Sequence, residues 1–191
     1  MKHFLTIFIL VCINHVCFSQ TSASKADTLR QEGKLEAAIT AYKEAYNKSP
    51  KNWENTYNLA CAYALTYQKD SAYHYLNMAL KNNTSLRALV DSDLYALIDD
   101  VRWVEIETSQ LKRFQEKHGT LQQPEYAKQL LKVIKKYQAL DYYIKQARIY
   151  YISHDYIPQW YYPLGELKQQ IGTEKYSNMQ QLITKYGWPK Y

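Results

Sequence analysis

The sequence predicts an all-α protein whose first half is a short array of stacked helical hairpins. The main evidence is a period of 34 residues, shown by three pairs: Ala38 and Ala72, Tyr42 and Leu76, Ala45 and Ala79. Small residues at a fixed period let neighbouring helices approach closely, so that each hairpin packs on the next. The 191 residues include only five Gly and five Pro, which argues against a protein of strands and tight turns.

Turn and packing positions recur within this array. Gly33 is expected in the turn of the first hairpin, and Pro50 after its second helix, because proline cannot donate the next backbone hydrogen bond. The second hairpin has Tyr67 and Thr84 at these two places. Small residues are predicted at the close contacts: Ala26, Ala38, Ala45, Ala60, Ala72 and Ala79. Large residues are predicted to fill the grooves between helices: Leu29, Tyr42, Leu59, Tyr63 and Leu76.

On these positions the segment resembles the tetratricopeptide repeat family over residues 22 to 85, with an irregular third unit extending it to about 118. The resemblance implies a protein or peptide partner in a concave groove lined by the first helix of each unit. Carried over by position, the groove comprises Asp27, Arg30, Gln31, Tyr57, Asn58, Cys61 and Leu65. For Tyr57 and Leu65, burial as core residues under a cap is the alternative. A generic antiparallel helical hairpin with coincidental spacing is the alternative for the whole segment.

Two repeat units need a cap, and residues 85–118 are predicted to supply it. Their apolar spacing fits two short helices with a break near Asp99 and Asp100, and Trp103 is expected to be buried. The six acidic residues between positions 85 and 111 are candidates for pairing with the basic helix that follows.

The first nineteen residues have the pattern of a secretory signal peptide. Lys2 precedes the apolar run Phe4 to Ile13, and Ser19 offers a small residue at a cleavage point. A buried terminal helix and a lipoprotein signal at Cys17 are the alternatives. Removal of the signal would leave Cys61 as the only thiol, so no disulfide is expected within the mature chain. We therefore expect an exported bacterial protein, periplasmic or secreted, with no transmembrane segment after signal removal.

Positive charge is concentrated between residues 111 and 150, a segment that contains nine Lys and Arg but only three Asp and Glu. A single helix is predicted from Gln123 to Arg148, with four lysines on its polar side: Lys128, Lys132, Lys135 and Lys136. These are candidate contacts for an anionic envelope surface; the alternative is an ordinary solvated helix face. A nucleic-acid partner is not expected for an exported protein.

The C-terminal region is predicted to contain an aromatic loop and a final helix. The loop covers Tyr150 to Glu166 and is expected to fold back with its rings filling gaps, rather than to stack on sugars or prolines. The helix is expected from Thr173 to Lys185, capped by Thr173 and ended by Gly187. Its Tyr-Gly-Trp-Pro ending resembles an uncharacterised domain of exported bacterial proteins, of which this would be a truncated copy.

Motifs for cofactors and metals are missing from the sequence. It has no glycine-rich phosphate loop and no Cys/His zinc spacing, so we expect no cofactor, metal or catalytic residue. The predicted domains are residues 1–19 (signal peptide), 20–118 (repeats with cap) and 119–191 (basic, Tyr-rich helices). The predicted function is an exported adaptor that binds a peptide or protein in the envelope. The alternative is a hydrolase-like or envelope-ligand-binding C-terminal domain, which would bring His154, Asp155 and Asn178 together.

Overall fold

A computed structural model describes residues 23–188, and all regular structure within that range is helical. The chain divides into two compact units, Met1–Lys81 and Asn82–Tyr191. This division falls inside the region 20–118 that the sequence groups together, and the domain boundary at residue 118 stays a prediction. The proposed signal peptide, with Cys12 and Cys17, lies outside the described residues.

The first unit consists of two consecutive helical hairpins. Its helices are α1 (residues 23–31), α2 (Leu35–Lys48), α3 (Trp53–Leu65) and α4 (Lys69–Leu80). Helix α3 packs against both α2 and α4. All six alanines predicted at close contacts are buried, five of them completely and Ala79 with 6% exposure. The all-α hairpin array is therefore confirmed, with small residues at the helix contacts.

The turns of this unit follow the predicted positions. Gly33 has a φ of 78°, a left-handed conformation that costs glycine little, whereas Tyr67 adopts a φ of 62° at the equivalent turn. Helix α2 ends at Lys48, shortly before Pro50. Asn52 caps α3, because its side chain accepts a hydrogen bond of 3.2 Å from the backbone N–H of Asn55.

The second unit contains the remaining helices: α5 (Arg87–Val90), a 3₁₀ helix (Ser92–Leu97), α6 (Trp103–His118), α7 (Pro124–Gln138), α8 (Asp141–His154) and α9 (Tyr161–Tyr186). Helix α7 packs against α5, the 3₁₀ helix and α9, and α8 packs against α9. The predicted break at Asp99 and Asp100 falls between the 3₁₀ helix and α6, and Trp103 is buried as expected.

The predicted single helix from Gln123 to Arg148 is wrong. The structure breaks it at Ala139 and Leu140, where neither glycine nor proline marks the change. Ala139 is only 4% exposed, so the break itself lies in packed surroundings. Because the segment is divided, α7 and α8 each pack against α9. The periodicity of the segment alone does not predict these tertiary contacts.

The predicted aromatic loop and the start of the last helix are also wrong. Helix α9 begins at Tyr161 and includes Pro163 and Gly165. Proline is tolerated there because the first turn of a helix has no intrahelical partner for its N–H groups. Thr173 lies inside α9, where its hydroxyl donates to the carbonyl of Gln169 at 3.2 Å instead of capping. The end at Gly187, with a φ of 79°, is confirmed.

Within residues 23–188, no helix is long and apolar enough to cross a bilayer.

Candidate functional site

Three of the predicted groove residues are buried and do not line an open surface. Tyr57 is 1% exposed, Cys61 3% and Leu65 9%. They lie on α3, where ten of thirteen residues are buried, because this helix carries small or apolar side chains on almost every side. Their assignment to the groove is corrected: they are core residues.

The other predicted groove residues are polar and at least partly accessible. We call Asp27, Arg30, Gln31 and Asn58 the polar edge; the first three lie on α1 and Asn58 lies on α3. Gln31 is exposed, and the other three are half-buried. The carboxylate of Asp27 joins the two helices, because its Oδ1 accepts a hydrogen bond of 3.5 Å from Asn58 Nδ2.

Tyr42 contacts the polar edge from the core of the first unit. Its side chain is completely buried, and its hydroxyl donates a hydrogen bond to Asp27 Oδ1. Burial raises the pKa of Tyr42, and the hydrogen bond to Asp27 raises it further, while the guanidinium of Arg30 acts in the opposite direction. Tyr42 therefore stays protonated and fixes the orientation of the carboxylate. The sequence marked Tyr42 as a packing residue and gave no signal for this role.

A family comparison matches this same part of the chain. The family model for the TPR repeat matches residues 26–66, from α1 through α3. This segment is similar to a tetratricopeptide repeat. Such repeats are typically non-catalytic modules for protein–protein interaction, which indicates a protein partner. No curated protein and no solved structure matches the chain. The resemblance of the C-terminal segment to an uncharacterised domain stays a prediction.

One of the four lysines predicted to contact an anionic surface is buried. Lys135 is 2% exposed, and its ammonium donates a hydrogen bond of 2.7 Å to the carbonyl of Ala88. The same ammonium lies 3.6 Å from the centre of the Trp103 ring. This corrects the placement of Lys135 on the solvent side of the helix. The helical period is compatible with either face, and the packing of α7 against α5 decides between them.

The other three lysines have carboxylate partners within the same unit. Lys128 and Lys132 lie 4.0 Å and 3.7 Å from the Glu107 carboxylate on α6. Lys136 pairs with Glu174 on α9 at 2.5 Å. The expected pairing of the acidic stretch with the basic helix is therefore present at Glu107. A contact of these lysines with an anionic surface stays a prediction, and it would compete with pairs that already exist.

An open cleft of about 560 Å³ lies between α6 and the start of α7. Its lining residues are Thr108, Leu111, Lys112, Gln115, Glu116, Thr120, Pro124, Glu125 and Lys128. Two lysines and two glutamates are mixed along its walls, so the cleft does not select one sign of charge.

The residues of the hydrolase alternative are not brought together by any contact between described residues. The ring of His154 stacks on Tyr150 with ring centres 4.0 Å apart, and its Nδ1 lies 3.1 Å from the Tyr150 carbonyl. Asp155 follows as the left-handed residue that ends α8. Asn178 lies inside α9. His154 is thus positioned by its own helix rather than by an acid–base partner.

The structure shows an apolar surface where the sequence favoured packed rings. We call it the aromatic turn: Tyr151, Ile152, Tyr156, Ile157, Trp160, Tyr162 and Leu167, with exposures between 41% and 73%. It comprises the end of α8, the connection and the start of α9. The density of aromatic residues signalled this surface, but composition alone does not distinguish exposed from buried rings.

Proposed function

We propose that this protein is an exported module of the tetratricopeptide type that binds a peptide or protein in the bacterial envelope and acts there as an adaptor. The observation that carries the proposal is the repeat at residues 26–66, together with a polar edge that stays accessible on its helices. Export is supported by the arrangement of Lys2, the apolar run Phe4 to Ile13 and Ser19.

The chemistry of the polar edge favours a partner that offers hydrogen bonds over one that offers an apolar helix face. The apolar candidates Tyr57 and Leu65 are buried, so the surface available to a ligand consists of a carboxylate, a guanidinium and two amides. Asp27 is held by Tyr42 and Asn58, which reduces the conformational entropy lost on binding. A polypeptide backbone with polar side chains supplies the complementary donors and acceptors.

Site-specific photo-crosslinking tests this proposal. A photoreactive residue at Gln31 is expected to form one discrete adduct in envelope extract, whereas the same residue at the exposed Glu44 on α2 is expected to form none. Arg30→Ala should weaken the Gln31 adduct, and Glu44→Ala should leave it unchanged. Equal adducts from both positions would reject the polar edge as the binding surface.

Export has a separate test. Cell fractionation followed by mass measurement is expected to find the chain in the envelope fraction, beginning at or near Gln20. Recovery of the intact chain, beginning at Met1, from the cytoplasm would reject export while leaving the binding test unaffected.

A further inference from the structure

The aromatic turn exposes more apolar surface than a solvated helix connection requires. Ile152 is 73% exposed, Tyr162 58% and Trp160 46%. Isolated exposed apolar residues are ordinary, but a concentration of them within seventeen positions marks an interaction surface. The composition of this surface is also informative, because it combines the aromatic residues Trp and Tyr with the aliphatic residues Ile and Leu.

The backbone that carries these side chains is fixed. Pro158 is buried, and the N–H of Tyr161 donates to its carbonyl at 2.9 Å. The N–H of Asp155 donates to the carbonyl of Tyr151 at 2.8 Å, which ends α8. The ring of Tyr156 meets Tyr150 edge-on with centres 5.4 Å apart. The connection is therefore anchored by Pro158 and Tyr150 while Ile157 and Trp160 remain exposed.

Two cations lie beside this apolar surface. Lys145, Arg148 and Ile152 are spaced three and four residues apart on α8, so they share one helix face, and all three are exposed. In the described part of the chain neither Lys145 nor Arg148 forms an ion pair, unlike the lysines of α7. Asp141, at the start of the same face, is neutralised by Lys168 at 2.7 Å. The outward face of α8 is therefore basic where it meets the aromatic turn.

We propose that the aromatic turn docks on the surface of an anionic lipid bilayer. Tyr and Trp rings are favoured at headgroup depth, and the aliphatic Ile152 and Ile157 gain from reaching the acyl boundary. Lys145 and Arg148 then face lipid phosphates. The acidic Asp155 and Glu166 border the turn, so the contact is shallow and depends on both apolar and electrostatic attraction. The exposed isoleucines favour a lipid partner over a glycan. A glycan would bind to a site in which aromatic rings stack on the sugar and polar side chains lie beside them.

Quenching of tryptophan fluorescence by brominated lipids tests the proposal on the full chain. With vesicles of phosphatidylglycerol and phosphatidylcholine, we expect a quenched component that Trp160→Phe removes. The matched control is Trp53→Phe, which changes a tryptophan 39% exposed in the other unit and should leave that component intact. Residues 1–22 contain no tryptophan, so membrane contact by that segment does not produce the signal of Trp160.

Two further comparisons separate apolar from electrostatic contributions. Ile152→Asp with Ile157→Asp should abolish quenching at Trp160, whereas Val101→Asp, at a residue 85% exposed elsewhere, should not. Lys145→Glu with Arg148→Glu should lower partitioning into anionic vesicles by at least about tenfold, because each cation near the surface contributes roughly fivefold.

Three results would each overturn the proposal. These are quenching that survives Trp160→Phe, equal partitioning into pure phosphatidylcholine vesicles, and protection of Trp160 by a soluble glycan or peptide in place of lipid. None of them bears on crosslinking at Gln31, so the failure of this inference and that of the adaptor function are distinguishable.

Discussion

The ammonium of Lys135 lies 3.6 Å from the centre of the Trp103 ring and donates a hydrogen bond to the carbonyl of Ala88. All three residues are buried, so the contact joins α5, α6 and α7 inside one compact unit. A buried cation is stabilising only when its hydrogen bonds and its electrostatic partners compensate for lost hydration.

Replacing this ammonium while keeping the aliphatic stem is expected to destabilise the protein. Lys135→Met should lower the free energy of unfolding by about 1–3 kcal/mol, because the buried carbonyl of Ala88 loses its donor and the Trp103 ring loses its cation. Chemical denaturation measures the change, and Lys132→Met at an exposed position of the same helix should alter it by less than about 1 kcal/mol. Equal or greater stability of Lys135→Met would show that the cost of burying the charge dominates.

Trp103 itself is expected to be a major packing residue. It is 6% exposed, and Trp103→Ala should cost about 3–5 kcal/mol of unfolding free energy through lost burial and a new cavity. Trp160→Ala, at a ring 46% exposed, removes the same side chain and should cost less than about 1 kcal/mol. Thermal and denaturant unfolding of the pair provide the measurement. Similar losses in both variants would contradict the burial difference.

Tyr42 makes stability depend on alkaline pH. Its folded-state pKa is raised above the ordinary value of 10.0, mainly by burial, so only the unfolded chain releases this proton just above that pH. The contribution is complete below pH 10 and is lost as the pH rises, by about 1.4 kcal/mol per pH unit for one proton. Tyr42→Phe should lack this part of the slope in denaturation midpoints measured above pH 10. Identical slopes in wild type and variant would reject the prediction.

The ion pair between Lys136 and Glu174 is testable by titration. Hydrogen bonding to Lys136 lowers the pKa of Glu174 below its ordinary 4.5, so the stabilisation is present above that value and is lost as the pH falls through the lowered pKa. Lys136→Ala should return the Glu174 pKa toward its ordinary value in a carboxyl NMR titration. Lys132→Ala, which removes a neighbouring cation paired with Glu107, should leave the Glu174 pKa unchanged. An unchanged Glu174 pKa in Lys136→Ala would contradict the ion pair between α7 and α9.

Much of the repeat segment was predictable because its signals are local. The period of 34 residues, the six buried alanines and the left-handed Gly33 all follow from spacing and from side-chain size. The break at Ala139 was not predictable, since no glycine or proline marks it and its benefit is the packing of two helices against α9. The polar positions of the candidate site were named from the family pattern, but the burial of Tyr57, Cys61 and Leu65 was not apparent from that pattern.

By itself, the sequence determined that the chain is helical and that its first half repeats, because periodicity and residue size act over a few turns of helix. It also indicated the pairing of the acidic stretch with the basic helix. Only the tertiary structure decided which face of each helix is covered: Lys135 is inside, Tyr57 is inside, and Trp160 is exposed. That choice depends on contacts between residues far apart in the chain, and the pattern of any single helix is compatible with more than one such arrangement.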